Sequence, residues 1–367
     1  MNNSTPAPLV VPFHLDDRPA SLATREKLAT YLGSPSEAPA LFTTEELGGL
    51  SATERAAYDR KRTMYLSGGI TINTPYVSQA VRLLHQSMME NIGRIAGHSG
   101  LMLDGPSTIG KTTTVIALMR WVFRSYTSRF PHWQDDGRVP VIYIEVPASS
   151  TGKLLMKSFA EFLGVSVRAS ESMGDIRARI VDTINKAGTQ LIVVDELQNL
   201  AGRASGYGES VDLLKNLHND IAGTFVYAGI DVTDSTLMDG PRGQQLKSRF
   251  SVLEMKRYNW SNAEDRRTWK GIVAAFEAEL TLHAHEKGTL AKDALYLYER
   301  TGGSIGSLAK LITGCAIQTI LDGDPDNERI DRAVLDSRQL DYNAESLHEK
   351  LLSRKSAKGT VSGGAAA

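Results

Sequence analysis

Gly105-Pro106-Ser107-Thr108-Ile109-Gly110-Lys111-Thr112 is a run of residue types able to enclose phosphate. Glycines let successive backbone N–H groups turn toward anionic oxygens, the lysine neutralises the terminal phosphates, and the hydroxyl after it takes a position on Mg²⁺. The run is entered from apolar Leu101-Met-Leu103 and left through Thr113-Thr-Val-Ile-Ala-Leu-Met119, so a strand is expected before it and a helix after it. Residues Gly105 to Thr113 are therefore expected to cradle ATP. Leu191-Ile-Val-Val-Asp195-Glu196, a buried-strand pattern ending in two carboxylates, begins 80 residues after Lys111. Asp195 is expected to hold Mg²⁺ with Thr112, and Glu196 to polarise the water that attacks the γ-phosphate. Adjacent residues on a strand point to opposite faces, which would let the two carboxylates serve different roles.

A chain of 367 residues with 41% hydrophobic content can bury more than one core. The formal net charge of −1 does not advertise nucleic-acid binding, although a local basic stripe suffices for phosphate contact. The single cysteine, Cys315, lies in an apolar helical pattern, so core packing and a reducing, cytoplasmic setting are expected. No apolar run approaches the length of a membrane span, and no export signal is seen at the N-terminus.

Four organisational regions are expected. Residues 1–66 form a polar, partly helical extension, with Ser51-Ala-Thr-Glu54 as a capping box and Arg60-Lys-Arg62 as a run that is more often a solvated face than a nucleic-acid patch. Residues 67–258 form an α/β core whose parallel sheet is flanked by helices. Thr74-Pro75 opens a helix with a core face running from Val77 to Ile92, and short apolar strands follow at 101–103, 139–146, 191–194 and 224–227. Ligands in such sheets sit at the carboxyl ends of the strands, where the loop and both carboxylates fall. Residues 259–342 show only helical periodicity, opened by a capping box at Ser261-Asn-Ala-Glu264, and read as a helical lid; residues 343–367 read as a disordered tail.

These elements resemble an AAA+ ATPase and, within that class, the TniB/TnsC family of transposition ATPases, whose role is related to that of MuB. The resemblance covers about residues 72–321. It is carried by Thr74-Pro75, the Gly105–Thr112 loop, Val146-Pro147 with Ser149-Ser-Thr-Gly-Lys153, Val193-Val-Asp-Glu-Leu-Gln-Asn-Leu200, and Gln245-Leu-Lys-Ser-Arg249-Phe250. It implies an ATPase with ATP and Mg²⁺ as cofactors, and two departures from the AAA+ pattern suit slow, regulatory hydrolysis. It further implies a homo-oligomeric ring or helical filament on double-stranded DNA that recruits a DDE-type transposase. Arg249 is then either an arginine finger completing a neighbour's site or a helix-end arginine in a surface ion pair. Arg242, in a Gly/Pro-rich loop, is the weaker candidate. The resemblance also points Ser149, Ser150, Thr151, Lys153, Lys157 and Arg203 toward a DNA channel; Ser149 to Thr151 could equally cap the next helix.

Two features depart from the AAA+ pattern. The strand at 224–227 should end in a polar sensor near 230, but Ala228-Gly-Ile-Asp231 leaves only Asp231. The lid segment Thr301-Gly-Gly-Ser-Ile-Gly-Ser-Leu308 lacks the arginine of many relatives, with Lys310 the nearest cation. His283 and His285 lie two apart in a helical pattern without a ligand cluster, and Trp260 and Trp269 read as lid anchors. Two other readings remain: an Orc/Cdc6-like initiator or helicase loader, and a nucleotide-switched signalling scaffold without DNA binding.

Overall fold

A computed structural model describes residues 21–34, 37–200, 207–232 and 240–361. Helices α1 (Arg25–Gly33), α2 (Thr44–Gly48) and α3 (Ala52–Met64) precede α4 (Pro75–Asn91). The chain then runs β1 (Gly100–Asp104), α5 (Lys111–Arg129), β2 (Val141–Glu145), α6 (Gly152–Leu163) and α7 (Met173–Lys186). Next come β3 (Leu191–Asp195), a 3₁₀ turn (Leu197–Leu200), α8 (Tyr207–Asp220), β4 (Thr224–Gly229), α9 (Gly240–Lys247) and β5 (Phe250–Glu254). Six helices close the chain: α10 (Ala263–Ala278), α11 (Thr289–Lys292), α12 (Ala294–Thr301), α13 (Ile305–Leu321), α14 (Arg332–Ser337) and α15 (Tyr342–Val361).

The five strands form one sheet in the order β2-β3-β4-β1-β5, every pair parallel. Strands β1, β3 and β4 are buried along their whole length, which is why they read as unbroken apolar runs. The fifth strand was not legible: Phe250-Ser-Val-Leu-Glu254 alternates buried and exposed positions at the sheet edge and lacks such a run. Parallel pairing brings the carboxyl ends of β1, β3 and β4 together, and with them the phosphate-loop segment and Asp195.

Two hydrophobic clusters lie in the fold. One is built on the sheet and its helices; the other gathers Trp269, Phe276, Leu297, Leu308, Leu311 and Cys315 from the C-terminal helices. The N-terminal helices serve both. Leu28 and Leu32 of α1 join the sheet cluster, and Arg120 of α5 lies over the Tyr31 ring at 4.9 Å. Leu66, just past α3, joins the helical cluster.

Several expectations are corrected. Arg62 is not on a solvated face: it is fully buried, and its guanidinium donates to both Glu328 oxygens at 2.6 and 2.9 Å and to the Thr281 carbonyl. Ile92 is 77% exposed, because the core face of α4 ends near Asn91, which binds the start of β1 through Ser99. Asn262, rather than Ser261, caps α10 by accepting from the Glu264 and Asp265 amides. The segment from 343 is helical to Val361, held at its start by Arg300–Glu345 at 2.9 Å and by Leu347 packed against Gly302. His283 and His285 lie in the loop after α10, where His283 Nε2 is 3.2 Å from the Tyr58 hydroxyl and His285 Nε2 is 3.1 Å from Glu277. The capping box at Ser51 and Glu54, the Thr74 cap with Pro75 at the first helical turn, and buried Trp269 and Cys315 agree with expectation. Among the described residues no single helix is long and apolar enough to cross a membrane.

Candidate nucleotide site

The loop between β1 and α5 is shaped by backbone conformations that side chains oppose. Gly105 has φ 154°, and a Cβ there would stand 2.3 Å from the Met255 carbonyl oxygen, so only glycine fits. Ile109 is buried and pins the loop to the core, while Pro106, Ser107, Thr112 and Thr113 are exposed. Gly110, at φ 95°, opens the 19-residue helix α5 without a side-chain cap. The first-turn amides of a long helix thus face the loop, the arrangement that binds anions.

Lys111 is buried, and its Nζ donates to the Gly105 and Pro106 carbonyls at 2.5 and 2.7 Å. Burial pulls its pKa below the usual lysine value, while the charges of Glu196, Asp195, Asp104 and Asp231 oppose that shift. With these carboxylates near one ammonium, phosphate groups would enter best together with a divalent cation. Among the described residues no cluster of three His, Cys, Asp or Glu side chains could hold a metal. An ion here would take Thr112 and Asp195 from the protein and the rest of its shell from phosphate and water, the usual arrangement for Mg²⁺.

Asp195 is held from two sides. One oxygen accepts the Glu196 N–H at 2.9 Å and the other the Tyr143 hydroxyl at 3.1 Å. Burial raises the Asp195 pKa, and those two bonds act against the rise. Burial first, then the Asp195 charge, push the Tyr143 phenol well above its ordinary value. Glu196 does not continue the strand: its φ is 57°, so a left-handed turn, rather than strand alternation, separates the two carboxylates.

Arg249 is not brought to this end of the sheet. Phe250 pairs with Gly100 and Glu254 with Asp104, so Arg249 sits at the amino end of the strands. At about 3.3 Å per residue, that is some 13 Å or more from the loop of its own chain. Its guanidinium donates to Asn219 Oδ1 at 2.6 Å. Of the positions pointed toward DNA, Ser149 and Thr151 are exposed, and Thr151 caps α6. Lys153 Nζ donates to the Glu171 carbonyl at 2.9 Å and Lys157 is half-buried. Ser150 is corrected: it is 2% exposed, and its amide donates to the Asn199 carbonyl at 2.9 Å, so its side chain is not presented to a ligand. Arg203 and the Arg242 side chain lie outside the described residues.

Three parts of the site were missed. An apolar slot beside the loop is lined by Ile70, Ile72, Val77, Ile109, Phe276 and Ile305; its sequence signal was the Ile-x-Ile alternation before Thr74-Pro75. Tyr143 is the second. A contact from the helical C-terminal region is the third: the Gly306 amide and Ser304 hydroxyl donate to the Thr108 carbonyl at 2.8 and 2.7 Å, while Lys310 is exposed beside Asp341.

A family model described as Bacterial TniB protein matches residues 62–260, more than half of the chain. The chain belongs to the TniB family. Among solved structures, this TniB protein is similar to the Aeropyrum pernix ORC2 protein in its ADP form, with TM-score 0.53 and 16% identity over 74% of this chain and 70% of that one. It is also similar to the Aeropyrum pernix ORC1 protein in complex with DNA, with TM-score 0.51 and 15% identity over 77% of this chain and 66% of that one. The TniB chain thus spans about two thirds of the ORC1 length. At such identities the likeness is one of fold, and the fold is the AAA+ α/β core with a helical C-terminal region. No curated protein sequence matches the chain.

Proposed function

We propose that this protein is an ATP-hydrolysing switch that assembles on double-stranded DNA without reading its sequence and there recruits a DDE-type transposase. The observation that carries the proposal is the split between the two ends of one sheet: loop, Lys111, Asp195 and Glu196 at one, Arg249 at the other. A guanidinium so placed serves a neighbour's site if copies stack head to tail, generating a ring or a filament. Family membership supports transposition as the setting.

In the assembled state the loop amides and Lys111 bind the phosphates, and the apolar slot at Ile70 and Ile305 takes the base. Thr112 and Asp195 would hold Mg²⁺, which would supply charge neutralisation at the phosphates. Glu196 takes a proton from the attacking water, and the neighbour's Arg249 neutralises charge developing on the γ-phosphate, an effect worth about 10³ to 10⁵ in rate. Asp231, exposed and negative near Lys111, offers no such help, in keeping with slow turnover. Thr151 and Lys153 at the start of α6 are the proposed backbone contacts to DNA, with Arg203.

The test is complementation. Lys111→Ala and Arg249→Ala proteins should each be inactive, whereas an equal mixture should recover up to about a quarter of wild-type hydrolysis, the share of interfaces pairing an intact loop with an intact finger. No recovery would contradict a shared site.

A further inference from the structure

The carboxyl end of β4 carries no polar side chain aimed at the phosphate loop from position 230, yet it is not disconnected from the chemistry. Gln198, on the 3₁₀ turn after β3, spans the gap. Its Nε2 donates to Glu196 Oε2, and its Oε1 accepts the Ile230 N–H at 3.0 Å. One partner is a pure acceptor and the other a pure donor, so the two ends of the carboxamide cannot be exchanged. The approach is close enough to require Gly229, where a Cβ would stand 2.3 Å from Gln198 Oε1. Buried Leu197 and Leu200 anchor the turn on either side.

The backbone around the contact is fixed as well. Asp195 accepts the Glu196 amide at 2.9 Å, and the Glu196 carbonyl accepts the Asn199 amide at 2.9 Å. Glu196 therefore keeps a left-handed conformation that costs on the order of 1–3 kcal/mol unless its surroundings hold it. Two residues beyond Ile230, the Val232 amide donates to Asp104 Oδ1 at 3.0 Å, at the end of β1 where the phosphate loop begins. The ends of β3, β4 and β1 are thereby tied in a row: Glu196 to Gln198, Gln198 to Ile230, and the segment after Ile230 to Asp104.

We propose that Gln198 is the positioning residue for Glu196, and that it replaces a polar sensor on β4 by reading the strand's backbone amide instead. The proposal rests on the hydrolytic reading of the site. Gln198 touches no reacting atom; it aims the Glu196 carboxylate and makes that aim depend on where the β4 end sits relative to the phosphate loop. It also accounts for a strand end of Gly229-Ile230, where a larger residue at 229 would expel the carboxamide.

Gln198→Met keeps the length of the side chain and removes both bonds. Measured with saturating Mg²⁺, this variant should lose at least about tenfold in kcat with KM within about twofold of wild type, the pattern of an interaction lost in the transition state rather than in binding. Without nucleotide, the Ile230 amide should exchange with deuterium faster than in wild type while β1 and β3 amides are unchanged. In a Glu196→Gln background, Gln198→Met should cost nothing further, because the group it aims is gone. A Gln198→Met protein with wild-type kcat, or with kcat falling only as far as the folded fraction falls, would overturn the proposal. If Glu196→Gln is inactive and Gln198→Met fully active, the positioning role alone fails. If Glu196→Gln hydrolyses ATP at the wild-type rate, the hydrolytic reading fails and the proposal with it.

Discussion

His218 shows how a single buried ring ties stability to acidity beside the proposed finger. It is fully buried in α8, with its ring centroid 5.3 Å from Phe225 and 4.8 Å from Phe250, and its Nε2 donates to the His98 carbonyl. Burial, with a smaller contribution from the Arg249 charge, lowers its pKa from 6.5 to about 4. The unfolded chain takes up this proton near pH 6.5 and the folded chain only near 4. The stabilisation from the neutral ring is therefore complete above about pH 6.5 and is lost as pH falls toward 4. Between pH 7 and 5 that amounts to about 2 kcal/mol, and denaturant unfolding at the two pH values should show it. His218→Phe should remove that part of the pH dependence; a variant with the wild-type slope would contradict the assignment. Loop and carboxylate residues were legible because each type is demanded by phosphate chemistry at fixed spacing. His218, Tyr143 and Gln198 were not, since their partners lie 120, 52 and 32 residues away and only the fold brings them together.

At the scale of elements, α3 is fastened to the C-terminal helical region by a buried ion pair. Arg62 and Glu328 are both fully buried, and Glu328 also accepts the His283 amide at 3.2 Å. Removing Glu328 leaves Arg62 with Asp59 as its remaining close acidic partner and the Thr281 carbonyl as an acceptor, at a cost of about 3 kcal/mol. Glu328→Ala should accordingly lower stability by that order in denaturant unfolding and expose α3 amides to exchange. A loss below about 1 kcal/mol would mean that Asp59 alone compensates the Arg62 charge. The pair explains why Arg60-Lys-Arg62 misread as a solvated face: a basic run carries no sign of an acidic partner 266 residues on. Strands β1, β3 and β4 were legible from double-sided burial, whereas β5 is half-exposed and its alternation is too short to separate from a turn. The helix beyond 343 was missed for a related reason: its contacts, Glu345 to Arg300 and Leu347 to Gly302, are tertiary rather than local.

For the whole molecule, nucleotide state would control assembly under the proposed function, because a site divided between sheet ends is complete only when copies meet. ATP at the loop would favour the oligomer and, through it, a line of phosphate contacts no single copy could hold, and hydrolysis through Glu196 would release it. With a net charge of −1, the proposed DNA affinity would have to lie in a local basic surface, so binding should be strongly salt-dependent. The decisive measurement is binding of a labelled random-sequence duplex with ATP, with ADP and without nucleotide, across a salt series. The expected result is cooperative, salt-sensitive binding with ATP only, prolonged by Glu196→Gln and abolished by Lys111→Ala. Binding indifferent to nucleotide and to both substitutions, or no DNA binding in any state, would contradict it.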